Sequence, residues 1–278
     1  MTAKRSIRGV FGRIHLLDHD QPGLTTETWA ERQPVRRLTL AGRRVVLTQP
    51  SSTLWVYALG LLACLLGARW WWLADGETVL QLWAVGLWLW GVGALLAGTS
   101  YQALGYHLKC RDGRVRWTNW WEATYMVCQQ LSIDALLVAT ALLATDGPVR
   151  TVLVLVAVST AVGFTASTLV GAVLPNRFLL SFEWMSLVSA PAVVAMLGIH
   201  VAAVARGGDP LDRALVGVWA GLLACMTTYG LYRRSGIGDR LWARGRWFSE
   251  NDVLHVTLIV WLLGIGATGD LFVDRLAG

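Results

Sequence analysis

The chain has 278 residues, 55% of them hydrophobic and only 15% charged. That is more apolar surface than a soluble domain can bury, and it is what a bundle of membrane-spanning helices needs. The formal charge of +6 sits in arginines grouped outside the apolar runs, so it reads as a topology signal and excludes nucleic acid as the expected partner.

In chain order, residues 1–53 form a basic, polar N-terminal tail holding nine Lys/Arg. Its composition is not that of a cleavable signal peptide. Within it, "VRRLTLAGRRVVLTQP" alternates around Ala41-Gly42, a pattern compatible with a small hairpin against the membrane surface or with a disordered basic tail. Seven apolar runs follow, at 54–74, 79–108, 119–145, 148–172, 179–205, 211–233 and 250–273. Each meets the roughly 20 residues required to cross about 30 Å of hydrocarbon. The turns between them are short and leave no room for a second domain. The expected fold is therefore an all-α integral membrane protein, with the tail at 1–53 and a seven-helix membrane domain at 54–278.

Nineteen of the 24 Lys/Arg fall in the tail, in loop 109–118, at Arg177 and in loop 233–249. The positive-inside rule then predicts a cytoplasmic N-terminus and an outside C-terminus in a cell membrane. A basic juxtamembrane tail also makes membrane lipids expected partners. The four cysteines, Cys64, Cys110, Cys128 and Cys225, are scattered with no CxxC pair; neither a disulfide framework nor a thiolate zinc site is expected. Most of the 16 tryptophans, Trp70, Trp71 and Trp72 among them, lie near span ends, as in an interfacial aromatic belt. Trp88, Trp90, Trp184 and Trp261 fall inside spans and are candidates to line a cavity.

Ionisable residues inside lipid are expensive and are kept where they face a bundle interior. With the predicted orientation, Glu122, Glu183, Asp252, His255 and His107 all fall near the cytoplasmic ends of their spans. Asp134, twelve residues beyond Glu122, lies about 18 Å deeper at about 1.5 Å per residue. Asn119, Glu122, Tyr125, Met126 and Gln129 share one helical stripe. Asp252 and His255 are neighbours at i,i+3, and Ser100 and His107, seven apart, are expected on one face. Together these groups read as the lining of a cytoplasm-facing, tryptophan-rich pocket. Each also has a structural reading: an interfacial ion pair for Glu122 (with Arg114 or Arg116) and for Glu183 (with Arg177), a headgroup-level side chain for His107, an N-terminal cap for Asp252, and a hydrogen-bonding group for Asp134. His200, His15 and His19 read as surface residues.

"NWWEATY" at 119–125 and "NDVLH" at 251–255 resemble segments of the small integral-membrane terpene cyclases of meroterpenoid biosynthesis. The resemblance implies a metal-independent, protonation-initiated cyclase with no cofactor. It implies Glu122 and Asp252 as the catalytic acids, one protonating a terminal alkene or epoxide and the other assisting or taking the final proton. His255, Tyr125, Trp121, Asn119, Gln129, Glu183 and His107 would then bind and position a lipophilic prenylated substrate, a farnesylated aromatic for example. Burial against tryptophan suits a proton donor, aromatic faces suit a carbocation, and a lipid-embedded pocket excludes water.

"NDVLH" with "QLSIDALL" and the Ser100/His107 pair also resembles the alkaline ceramidase and adiponectin receptor superfamily, which implies a metal-dependent intramembrane hydrolase. Asn251 stands where that family has the first histidine of its HxxxH. "RWTNWWE" at 116–122 is similar to a segment of the inverted heliorhodopsins, but Lys4 and Lys109 are the only lysines and the last span offers none for a retinal Schiff base. A non-enzymatic scaffold or receptor is the remaining alternative.

Overall fold

The computed structural model describes residues 9–19, 21, 23–111 and 113–277; the first eight residues of the expected tail, with Lys4, lie outside the described residues. The chain is all-α, with seven helices long and apolar enough to cross a membrane: Pro50–Leu73, Thr78–Ala103, Trp120–Ala144, Gly147–Val173, Phe182–Ala205, Pro210–Ser235 and Glu250–Leu276. They match the seven apolar runs and are called the first to seventh spans below.

The span starts follow from local chemistry. Proline opens the first span and stands in the first turn of the fourth and sixth, where its missing N–H costs nothing. Asn119, Ser181, Asp209 and Ser249 accept backbone N–H groups at the starts of the third, fifth, sixth and seventh, satisfying donors the helix itself leaves unpaired. The second span ends differently. Gly98–Ala103 is wound as a π-helix, Leu104 leaves helical geometry at φ −112°, and a separate short helix runs Gly105–Lys109. The expected run to 108 is thus broken, and the 3.6 period does not carry from Ser100 to His107.

The second and third spans form the centre, each with 56% of its most apolar stretch buried; for the fourth and fifth the figures are 17% and 22%, leaving their outer faces for lipid. The first and second spans approach closely at Gly60 and Gly91: a Cβ on Gly91 would lie 2.7 Å from the Gly60 carbonyl oxygen. Small residues permit such contacts between membrane helices.

The described part of the N-terminal segment is folded onto one end of this bundle. Strands β1 (Val35–Leu40) and β2 (Arg43–Thr48) pair antiparallel around Ala41 and Gly42, both at positive φ (47° and 75°), as a two-residue hairpin turn requires. A second, two-residue hairpin joins β3 (Cys110–Arg111) to β4 (Arg114–Val115). Asp18 bridges to Arg116 beside it. Ile14 is fully buried among Met126, Phe164 and Leu180, and the Trp120 indole donates to the Phe11 carbonyl at 3.0 Å.

The aromatic belt needs one correction. Trp71, Trp72 and Trp121 are exposed, but Trp70 is fully buried. It packs on Trp83 at 5.1 Å and Phe272 at 4.9 Å, and Trp83 stacks on Trp219 at 5.7 Å. The four rings plug the end of the bundle opposite the hairpins, because a helix end can turn only one face to lipid.

Candidate functional site

A cavity of about 280 Å³ lies among the first, second, third, fifth, sixth and seventh spans, near the lower end of the roughly 300–1,000 Å³ usual for small-molecule sites. Its walls are almost wholly apolar. Trp90, Tyr125 and Phe182 give it aromatic faces, and Gln129, Ser186, Ser189 and His255 are its polar groups. Trp261 backs Trp90 at 4.9 Å and is anchored by its indole donating to the Val218 carbonyl at 2.8 Å. His255 is buried and its Nδ1 has no hydrogen-bond partner in the described structure.

The expected layer of polar residues exists at the hairpin end, but it does not converge on one pocket. Glu122 is 1% exposed and does not line the cavity. Its Oε1 accepts from Ser100 Oγ at 2.9 Å and from Asn119 Nδ2 at 3.5 Å, and it pairs with Lys109 Nζ at 2.8 Å. The ion pair is made with Lys109, not Arg114 or Arg116. Lys109 also sits 4.5 Å from the Tyr101 ring centroid, a cation–π contact. Asn119 caps the third span and donates to Ser100 at 2.7 Å. Trp121 faces outward.

Asp252 is fully buried. Its Oδ2 accepts from Ser249 N at 2.6 Å and Ser249 Oγ at 2.9 Å, the reciprocal half of a capping box. Among the described residues its Oδ1 has no partner. Glu183 is exposed and leans toward Arg233 at 3.7 Å, rather than toward Arg177. His107 accepts from the Val46 amide of the hairpin at 2.8 Å; with the helix broken at Leu104, it no longer shares a face with Ser100. Of the expected site residues, Tyr125, Gln129 and His255 line the cavity. Gln129 is also fixed by donating to the Trp90 carbonyl at 3.0 Å.

Asp134 joins three helices. It accepts from Gln130 at 3.0 Å and from Thr160 of the fourth span at 2.7 Å, and Gln130 in turn accepts from Ser189 of the fifth at 2.7 Å. Ser189 carries this chain to the cavity wall. His200 is a further correction: it is fully buried, not a surface residue, and its Nδ1 lies 2.9 Å from Asp212 Oδ1. Asp212 also meets Arg275 at 3.2 Å, and Arg275 reaches Asp209 at 3.5 Å. This cluster ties the fifth, sixth and seventh spans together at the end away from the hairpins. Sequence position put His200 near a span end; only the packing of Asp212 against it encloses it.

Outside the spans, burial pushes the Cys110 thiol up to about 11, which leaves it a poor nucleophile. Among the described residues no three His, Cys, Asp or Glu side chains come together as a metal site. His107, in the short helix against the hairpin, and His255, in the cavity, do not form the donor set that the hydrolase resemblance implies. No family model, no curated protein and no solved structure matches the chain.

Proposed function

We propose that this protein is a membrane enzyme that cyclises a linear prenyl chain by protonation, with the chain held in the apolar cavity. The observation that carries the reading is the cavity itself, walled by Trp90, Tyr125 and Phe182 and bordered by His255. An apolar chain gains about 25 cal/mol for each Å² it buries in such a space. Aromatic faces attract the cation that cyclisation creates, and the scarcity of polar lining keeps water from quenching it.

Neither acid lines the cavity. Of the two, Asp252 stands one helical turn from His255, which does line it, and its Oδ1 has no partner among the described residues. Asp252 is therefore assigned as the proton source, with His255 relaying the proton to the cavity. Its proton adds to a terminal alkene carbon or an epoxide oxygen. The chain's own π electrons then form the ring C–C bonds, and His255 takes the C–H proton released by the last cation. The product is an isomer of the substrate. Glu122, engaged by Lys109, Ser100 and Asn119, is a positioning residue that holds the start of the third span, from which Tyr125 projects. By the positive-inside rule the hairpin end, and with it the mouth of the site, faces the cytoplasm.

The test is to incubate the purified full chain with a farnesylated phenol and with its terminal epoxide, and to look by mass spectrometry for a product of unchanged mass with fewer alkenes. Asp252→Asn, which can still accept from Ser249, should lower turnover at least a hundredfold, within the range expected for loss of an acid catalyst, at unchanged melting temperature. If neither substrate is isomerised and the protein instead retains an unaltered lipophilic molecule, the cyclase reading falls and a lipid-binding protein takes its place.

A further inference from the structure

A second cavity, of about 230 Å³, lies at the hairpin end, where the sixth span closes and the seventh opens. It is independent of the apolar site, and its chemistry is opposite: most of its surface is polar. Arg32 reaches it from the N-terminal segment and Arg233 from the sixth span; Asp239 and Glu250 supply carboxylates, and Trp242 and Trp247 supply aromatic rings. The two rings meet edge to face at 5.3 Å.

Among the described residues, none of these four charges forms an ion pair with another of the four. Arg32 bonds to Gln21 and Arg233 leans on Glu183, while Asp239 and Glu250 make neither a hydrogen bond nor an ion pair. Two guanidinium groups and two carboxylates therefore border one space without neutralising each other across it. A simple anion would meet the carboxylates, and a simple cation the guanidiniums. A ligand carrying both charges satisfies both.

We propose that this cavity binds a phosphate–ammonium zwitterion, the chemistry of a phosphatidylethanolamine or phosphatidylcholine headgroup. Arginine forks match phosphate oxygens, and carboxylates with tryptophan faces match the ammonium. The level is right for a lipid, since the cavity sits where two spans end and tryptophans gather. Exposed Leu231, Ile237 and Phe248 flank it, apolar neighbours for acyl chains. Tyr232 stiffens the wall by donating to the Phe248 carbonyl at 2.7 Å.

The test is native mass spectrometry of the detergent-solubilised full chain titrated with phosphatidylethanolamine, phosphatidylcholine, phosphatidylglycerol and soluble glycerophosphoethanolamine. One zwitterionic lipid should bind per chain at about tenfold lower concentration than phosphatidylglycerol. Arg233→Gln and Asp239→Asn, both at exposed side chains and so without cost to folding, should each weaken that binding at least fivefold and leave phosphatidylglycerol unaffected. Equal binding of zwitterionic and anionic lipids, unchanged in both variants, would overturn the assignment. Competition by the soluble ester at equal concentration supports the zwitterion site and names a free ester as its occupant; failure of the ester to compete, with the lipid still bound, names the membrane lipid.

Discussion

Glu122 shows what a single position reveals and conceals. An acid three residues after a helix-capping asparagine is legible as a special group at a span end, and the ion-pair alternative was legible with it. Its partner was not: Lys109 lies thirteen residues back, across a small hairpin that only the folded chain displays. Since Glu122 and Lys109 are 1% and 11% exposed, removing one leaves the other buried and uncompensated. Glu122→Gln should cost about 3 kcal/mol, read as a lower melting temperature in detergent. Adding Lys109→Met should recover most of that loss, because a neutral pair leaves no buried charge. If the double variant is no more stable than the single one, the pair is not what holds this corner.

At the level of elements, close helix contacts are the sensitive points. Gly91→Ala places a methyl 2.7 Å from the Gly60 carbonyl oxygen and 2.6 Å from Cys64 Sγ, and should destabilise the purified protein by about 1–3 kcal/mol. Gly217→Ala, in the sixth span, meets nothing within 4 Å and should be neutral or gain up to about 1 kcal/mol of helix propensity. Equal melting temperatures for the two variants would mean that the first and second spans are not in this contact.

The docked N-terminal segment carries a pH dependence. Burial, reinforced by Lys109, Arg177 and Arg32, lowers the pKa of His19 below 6.5, and its Nδ1 accepts from the Gln21 amide at 3.3 Å. The folded segment thus disfavours the proton that a released segment binds, so docking is complete above about 6.5 and weakens as the pH falls below it. Amide protection factors across 9–19, taken relative to the intrinsic exchange rate at each pH, should be lower at pH 5 than at pH 7.5, and His19→Gln should remove most of that difference. The hairpin was legible as an alternation around Ala41-Gly42, whereas the docking that buries Ile14 was not, since one isoleucine in a basic segment carries no pattern.

For the whole molecule, the basic hairpin end is predicted to face the cytoplasm. With the native cysteines replaced by serine, a cysteine at Thr39 should resist a membrane-impermeant maleimide in intact cells, while one at Gly207 should react. The opposite pattern would invert the orientation.

The sequence by itself determined the number of spans, their lengths and nearly all their ends. Hydrophobic length, caps and prolines are local quantities, and at about 1.5 Å per residue they also set depth. Depth was enough to gather Glu122, Glu183, Asp252 and His255 at one end of the bundle. The direction each side chain takes around its helix axis was decided only by the tertiary structure. A soluble helix advertises its buried side by a change from polar to apolar. In these spans lipid and core are both apolar, so the inward face leaves almost no periodic trace. That is why Tyr125, Gln129 and His255 reach the cavity while Glu122 turns to Lys109 and Glu183 to Arg233, and why His200 is enclosed.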